Sequence, residues 1–137
     1  MDIVTQNNKA KVTINCASWA DMNLLKQEAF KCIDVQNFNF DFSNTAGFIN
    51  FCMEILIKAE TSDSFNNALF RCLKNCLWDG YVSITEQLLQ DKPEIIEDYY
   101  EIASNCIEVN LRPFFKSLRT EFLRRFQMMT SKNPKQE

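Results

Sequence analysis

The chain has 137 residues, 46% hydrophobic and 12% aromatic, with 15 basic against 18 acidic residues and no histidine. That length suits one domain able to bury roughly two thirds of the surface its unfolded chain exposes. A weakly negative balance excludes a global attraction to nucleic acid or anionic membrane. Lacking histidine, the chain has no imidazole base, proton shuttle or metal ligand, and its 2 glycines, Gly47 and Gly80, cannot build a phosphate-cradling loop. The expectation is a mostly α protein, a helical domain of about five helices with a small N-terminal β element. It is expected to bind other proteins, to catalyse nothing and to hold no cofactor. Met1-Asp2-Ile3-Val4 lacks the layout of a secretory signal, and no apolar run spans a bilayer, so a cytoplasmic location with no membrane contact is expected.

Residues 1–9 are polar and read as a flexible N-terminus, with the domain over 10–129 and a disordered tail over 130–137. Val12, Ile14 and Cys16 alternate with Lys11, Thr13 and Asn15, which is a half-buried strand. The alternating Phe38–Phe42 stretch is its nearest candidate partner. Ser18 caps a helix with Trp19, Met22, Leu25, Ala29 and Ile33 at helical spacing. A second helix over 45–59 carries Phe48, Phe51, Cys52, Ile55 and Leu56. Thr61-Ser62-Asp63 recaps the chain for a helix over 64–78, and Asp79-Gly80 supplies a turn. A helical turn through Leu88 and Leu89 follows. Pro93 opens a helix that buries Ile95, Ile96, Tyr99, Ile102, Ala103, Cys106 and Val109. Pro113 interrupts or kinks this pattern, or opens a last helix at Phe114. That segment, Arg112 to Met129, places Phe115, Leu118, Phe122 and Phe126 on one stripe, expected to pack on the domain.

Six cysteines sit mainly at apolar helical positions and read as reduced core thiols. Cys72 and Cys76, one turn apart, would both reach a metal on a shared helix face, but no second pair completes a site. The acids Glu94, Glu97, Asp98, Glu101 and Glu108 read as a solvated face. Charge is unevenly divided: residues 79–108 hold 8 carboxylates against Lys92 alone, and residues 112–135 hold 7 cations against Glu121 alone. The two segments would pack antiparallel, or the basic end would bind an acidic partner or another copy. Nucleic acid is the weakest reading, since the protein as a whole is acidic.

Four stretches carry a family resemblance. Val12-Thr13-Ile14-Asn15 leads through Ala17-Ser18-Trp19 to Leu24-Leu25-Lys26. Ala68-Leu69-Phe70-Arg71-Cys72-Leu73 ends in a Trp78-Asp79-Gly80 turn. The third is Glu97-Asp98-Tyr99-Tyr100-Glu101-Ile102, and the fourth Asn110-Leu111-Arg112-Pro113-Phe114-Phe115-Lys116-Ser117-Leu118. In this order, over residues 12–118, they resemble the tail assembly chaperones and related minor tail proteins of tailed phages. The resemblance implies a protein that binds the tape measure protein and helps recruit tail tube subunits in the bacterial cytoplasm. It supplies no catalytic residues. The other reading is a non-catalytic interaction protein of another kind, a structural tail component or an inhibitor of a host protein. The candidate partner-binding residues are Arg112, Phe114, Phe115, Lys116, Arg119, Phe122, Arg124 and Arg125, and a homo-oligomer is compatible with them.

Overall fold

Side-chain oxygens set where three of the helices begin. The computed structural model describes residues 1–32 and 45–131. Ser18 Oγ accepts the Asp21 N–H at 3.2 Å and opens α1, Trp19–Lys31. Asp21 does not reach back to complete a capping box. Its carboxylate instead accepts from Arg71 Nε at 2.9 Å. After α2, Thr45–Lys58, Ser62 Oγ accepts the Phe65 N–H at 3.2 Å and opens α3, Asp63–Leu73. Thr85 Oγ1 does the same for Leu88 at 3.1 Å in α4, Glu86–Asp91. Each cap satisfies a first-turn N–H that has no partner within its helix. A 3-10 helix, Pro93–Asp98, then leads into α5, Tyr99–Ser131.

The fold is mostly α with a small β element, as the patterning predicts. Helix α1 packs on α3, α2 packs on α5, and the first half of α5 also touches α1 and α3. Leu25, Phe51, Phe65, Leu69 and Ile107 are fully buried together. Each such side chain stabilises the fold by roughly 1.5–3 kcal/mol. Trp19 and Ile96, expected on buried stripes, are instead 67% and 56% exposed. Trp19 is the first residue of its helix. Ile96 lies in 3-10 structure, where three residues make a turn, so Ile95 and Asp98 share the inward side.

The β element is larger than its N-terminal strand. Strands β1 (Asp2–Val4), β2 (Lys11–Thr13), β3 (Leu77–Trp78) and β4 (Val82–Ser83) form an antiparallel sheet in that order. Residues 1–9, read as flexible, are therefore part of the fold. Ile3 faces Val12, the Met1 amino group donates to the Ile14 carbonyl at 3.1 Å, and Ile14 N–H donates to the Met1 carbonyl at 2.7 Å. The strand is too short for its alternation to show in the sequence. The helix expected over 64–78 stops at Leu73, because Asn75 Nδ2 caps the Arg71 carbonyl and Leu77-Trp78 pairs with β2. Asp79 (φ 56) and Gly80 (φ 84) make the left-handed turn into β4. The proposed pairing of β2 with Phe38–Phe42 lies outside the described residues.

Pro113 does not end the last helix; α5 runs through it. A proline has no N–H, so the carbonyl four residues earlier, that of Val109, loses its helical donor. The Cys16 thiol takes that place, 3.8 Å from the Val109 oxygen. Beside it, buried Asn110 accepts the Ala17 N–H at 2.8 Å and donates to the Cys106 carbonyl at 2.8 Å. The proline's cost is thereby met by the loop between β2 and α1. Among the described residues no helix is long and apolar enough to cross a membrane.

Candidate protein-binding site

The acidic and basic segments do not pack antiparallel. The basic segment and the last acidic residues belong to one helix, α5, which is continuous from Tyr99 to Ser131. Ile102, Ala103, Cys106, Ile107, Val109 and Leu111 are buried, and then Arg112 and Pro113 are exposed. Arg112 pairs with buried Glu108 one turn back, and Arg124 pairs with Glu121. Phe114 is half-buried, with the Lys26 ammonium of α1 over its ring at 4.6 Å from the centroid. It is therefore partly used within the molecule. Phe115, Lys116, Arg119, Phe122 and Arg125 follow on the backbone of α5, and their side chains, like those of Leu118 and Phe126, lie outside the described residues. Ser117 and Thr120 between them are exposed.

The acidic run is not a uniformly solvated face. Asp98 is buried and accepts the N–H groups of Asn7 and Asn8 at 2.9 and 3.0 Å, plus Asn8 Nδ2 at 2.7 Å. Glu101 accepts the Gln6 N–H at 2.9 Å, and the Glu94 and Glu97 carbonyls accept the Asn8 and Asn7 side-chain amides. The turn between β1 and β2 is thus folded around carboxylates, which is why five polar residues in a row are ordered there. Burial pushes the Asp98 carboxyl up, but the bonds from Asn7 and Asn8 outweigh it and hold the group below its usual range. Glu108 is also buried, near Cys52.

All 6 cysteines are free, and Cys52, Cys72, Cys76 and Cys106 are buried. The Cys72 thiol donates to the Asp21 carbonyl at 3.6 Å and the Cys76 thiol to the Asn15 carbonyl at 4.0 Å. Cys76 lies past the end of α3, so the shared helix face that suggested a metal pair does not exist. Burial pushes the Cys72 thiol up to about 12. The Cys76–Cys106 hydrogen bond, together with burial, raises the Cys106 thiol. The Cys72 and Cys106 thiols are thereby held protonated, whereas the same hydrogen bond lowers Cys76. Among the described residues no group of three or more Cys, Asp or Glu could hold a metal ion.

Sequence patterning missed a surface feature. An open groove of about 610 Å³ runs between α3, α4 and the 3-10 helix, lined in part by Asp63, Asn67, Phe70, Glu86, Ile96 and Tyr99. Its floor is aromatic: the Phe70 and Tyr99 rings stack at 6.2 Å, and Tyr100 meets Tyr99 edge-on at 5.8 Å. The Tyr100 hydroxyl donates to Glu60 at 2.5 Å. The acidic-aromatic composition of 97–102 was visible in the sequence, but its meeting with α3 and α4 was not. No family model matches the chain, and neither does any curated protein or solved structure.

Proposed function

We propose that the protein is a non-catalytic binding module that acts on other proteins through the distal half of α5. The observation that carries this is the charge of α5 beyond Leu111, with 5 cations against Glu121 alone from Arg112 to Ser131. Arg is favoured at protein interfaces because its planar fork pairs with carboxylates and stacks on rings. Phe114, Phe115 and Phe122 add apolar area to the same segment. The partner is the phage tape measure protein, which the chain holds in the host cytoplasm while tail tube subunits are recruited. This assignment rests on the sequence resemblance, whose longest stretch, Asn110 to Leu118, falls at the start of that basic segment.

Co-expression with a tape measure protein from the same genome tests the reading. The two should co-purify, and Arg124→Glu with Arg125→Glu should abolish the complex while the chain stays folded. A clean fold with no co-purification would overturn the chaperone reading. Recovery of the chain in purified particles by mass spectrometry would make it a structural component instead.

A further inference from the structure

We propose that the acidic, aromatic groove between α3, α4 and the 3-10 helix receives the basic distal half of α5 from a second copy of this chain. The groove and that segment are complementary in charge. Asp63 and Glu86 line the groove, and neither Lys nor Arg does so among the described residues. The 3-10 helix beside it adds Glu94 and Glu97, both exposed. Residues Arg112 to Ser131 carry 5 cations and one carboxylate. The floor suits a cationic visitor as well as the rim does. Ring faces attract guanidinium and ammonium groups, and Phe70 and Tyr99 lie in the lining beside exposed Ile96.

The chain cannot satisfy this complementarity by itself. Tyr99 in the groove is the first residue of α5, and the basic segment belongs to the same unbroken helix. At 1.5 Å per residue it starts roughly 20 Å from the groove and continues away for roughly another 30 Å. A helix cannot fold back on its own first turn, so the pairing must be between molecules. Each copy carries one groove and one basic helix, and two copies exchanging helices about a two-fold axis would fill both. Contacts of this kind weaken as salt screens them. Both this inference and the proposed tape measure contact use the distal half of α5, but only this one uses the groove.

Sedimentation velocity over a concentration series, at low and at high salt, tests it on the full chain. At low salt the mass should rise with concentration from 16.1 kDa toward at least twice that value, and high salt should reverse the rise. A groove-reversed chain, Asn67→Lys with Glu86→Lys, should stay at single-chain mass. So should a helix-reversed chain, Arg119→Glu with Arg125→Glu. Mixing the two should restore association, since the new lysines of one groove then meet the new glutamates of the other helix, and circular dichroism should match the parent for both. Single-chain mass for the parent at every concentration overturns the proposal. So does an association that salt does not weaken and that the groove-reversed chain retains. Neither result would touch the client reading, because the groove-reversed chain should still co-purify with the tape measure protein.

Discussion

The two halves of α5 differ along one unbroken helix. From Tyr99 to Leu111 it is the central element of the domain, with Ile102, Ala103, Cys106 and Ile107 buried and even its polar Asn110 fully bonded. From Arg112 onward the described side chains are exposed or half-buried; Arg112 pairs with Glu108, Arg124 with Glu121, and Phe114 meets Lys26 of α1. The boundary is the Pro113 turn, where the loop between β2 and α1 meets the helix. Backbone regularity therefore says nothing of energetic weight. The first half is buried at the centre of the fold, whereas the described side chains of the second half are exposed or half-buried.

Substitutions should separate the halves by size of effect. Ile107→Ala removes a fully buried side chain and should cost about 2–5 kcal/mol, read as a fall in the urea midpoint; an unchanged midpoint would mean that the proximal half is not core. Asp98→Ala strips the acceptor from two backbone N–H groups and should cost about 1–3 kcal/mol. Its carboxyl binds a proton less readily folded than unfolded, so its contribution is complete above the unfolded value of 3.8 and fades as pH falls through the lower folded value. An acid titration of stability should accordingly be flatter for Asp98→Asn than for the parent. Lys26→Met removes the ammonium over Phe114, the one side-chain contact seen between α1 and the distal half among the described residues, and should cost about 0.5–1 kcal/mol. Arg124→Glu with Arg125→Glu should move stability by no more than about 0.5 kcal/mol while removing partner binding. A large loss of stability from that pair would show the distal half to be structural.

Much of the helical frame was legible because it is written locally. Ser18 and Ser62 lie next to the helices that they cap, and Phe65, Ala68, Leu69, Cys72 and Leu73 repeat at the period of the face they bury. What stayed hidden depends on residues far apart. Polar Thr5 to Lys9 looks frayed until Asp98 supplies its acceptors. Leu77 and Trp78 continue a helical stripe until β2 offers a ladder. The groove has no sequence signal, since its lining is drawn from α3, α4, the 3-10 helix and the start of α5, with a single residue from each of the last two. The candidate partner residues were drawn from charge and Phe content alone. Of these, Phe114 proves to be half-covered by α1.

The Asp98 and Asn110 contacts also set a timetable for synthesis. Asn7 waits for a carboxylate 91 positions later, and Ala17 for an amide 93 positions later. At roughly 5–20 residues per second, a ribosome needs about 5–20 s to deliver them. Throughout that interval the β1–β2 hairpin has neither the acceptor for its turn nor the helix that receives its following loop. Its backbone remains open to chaperones, to proteases or to another nascent hairpin. The domain closes on its own beginning only when the start of α5 has left the exit tunnel.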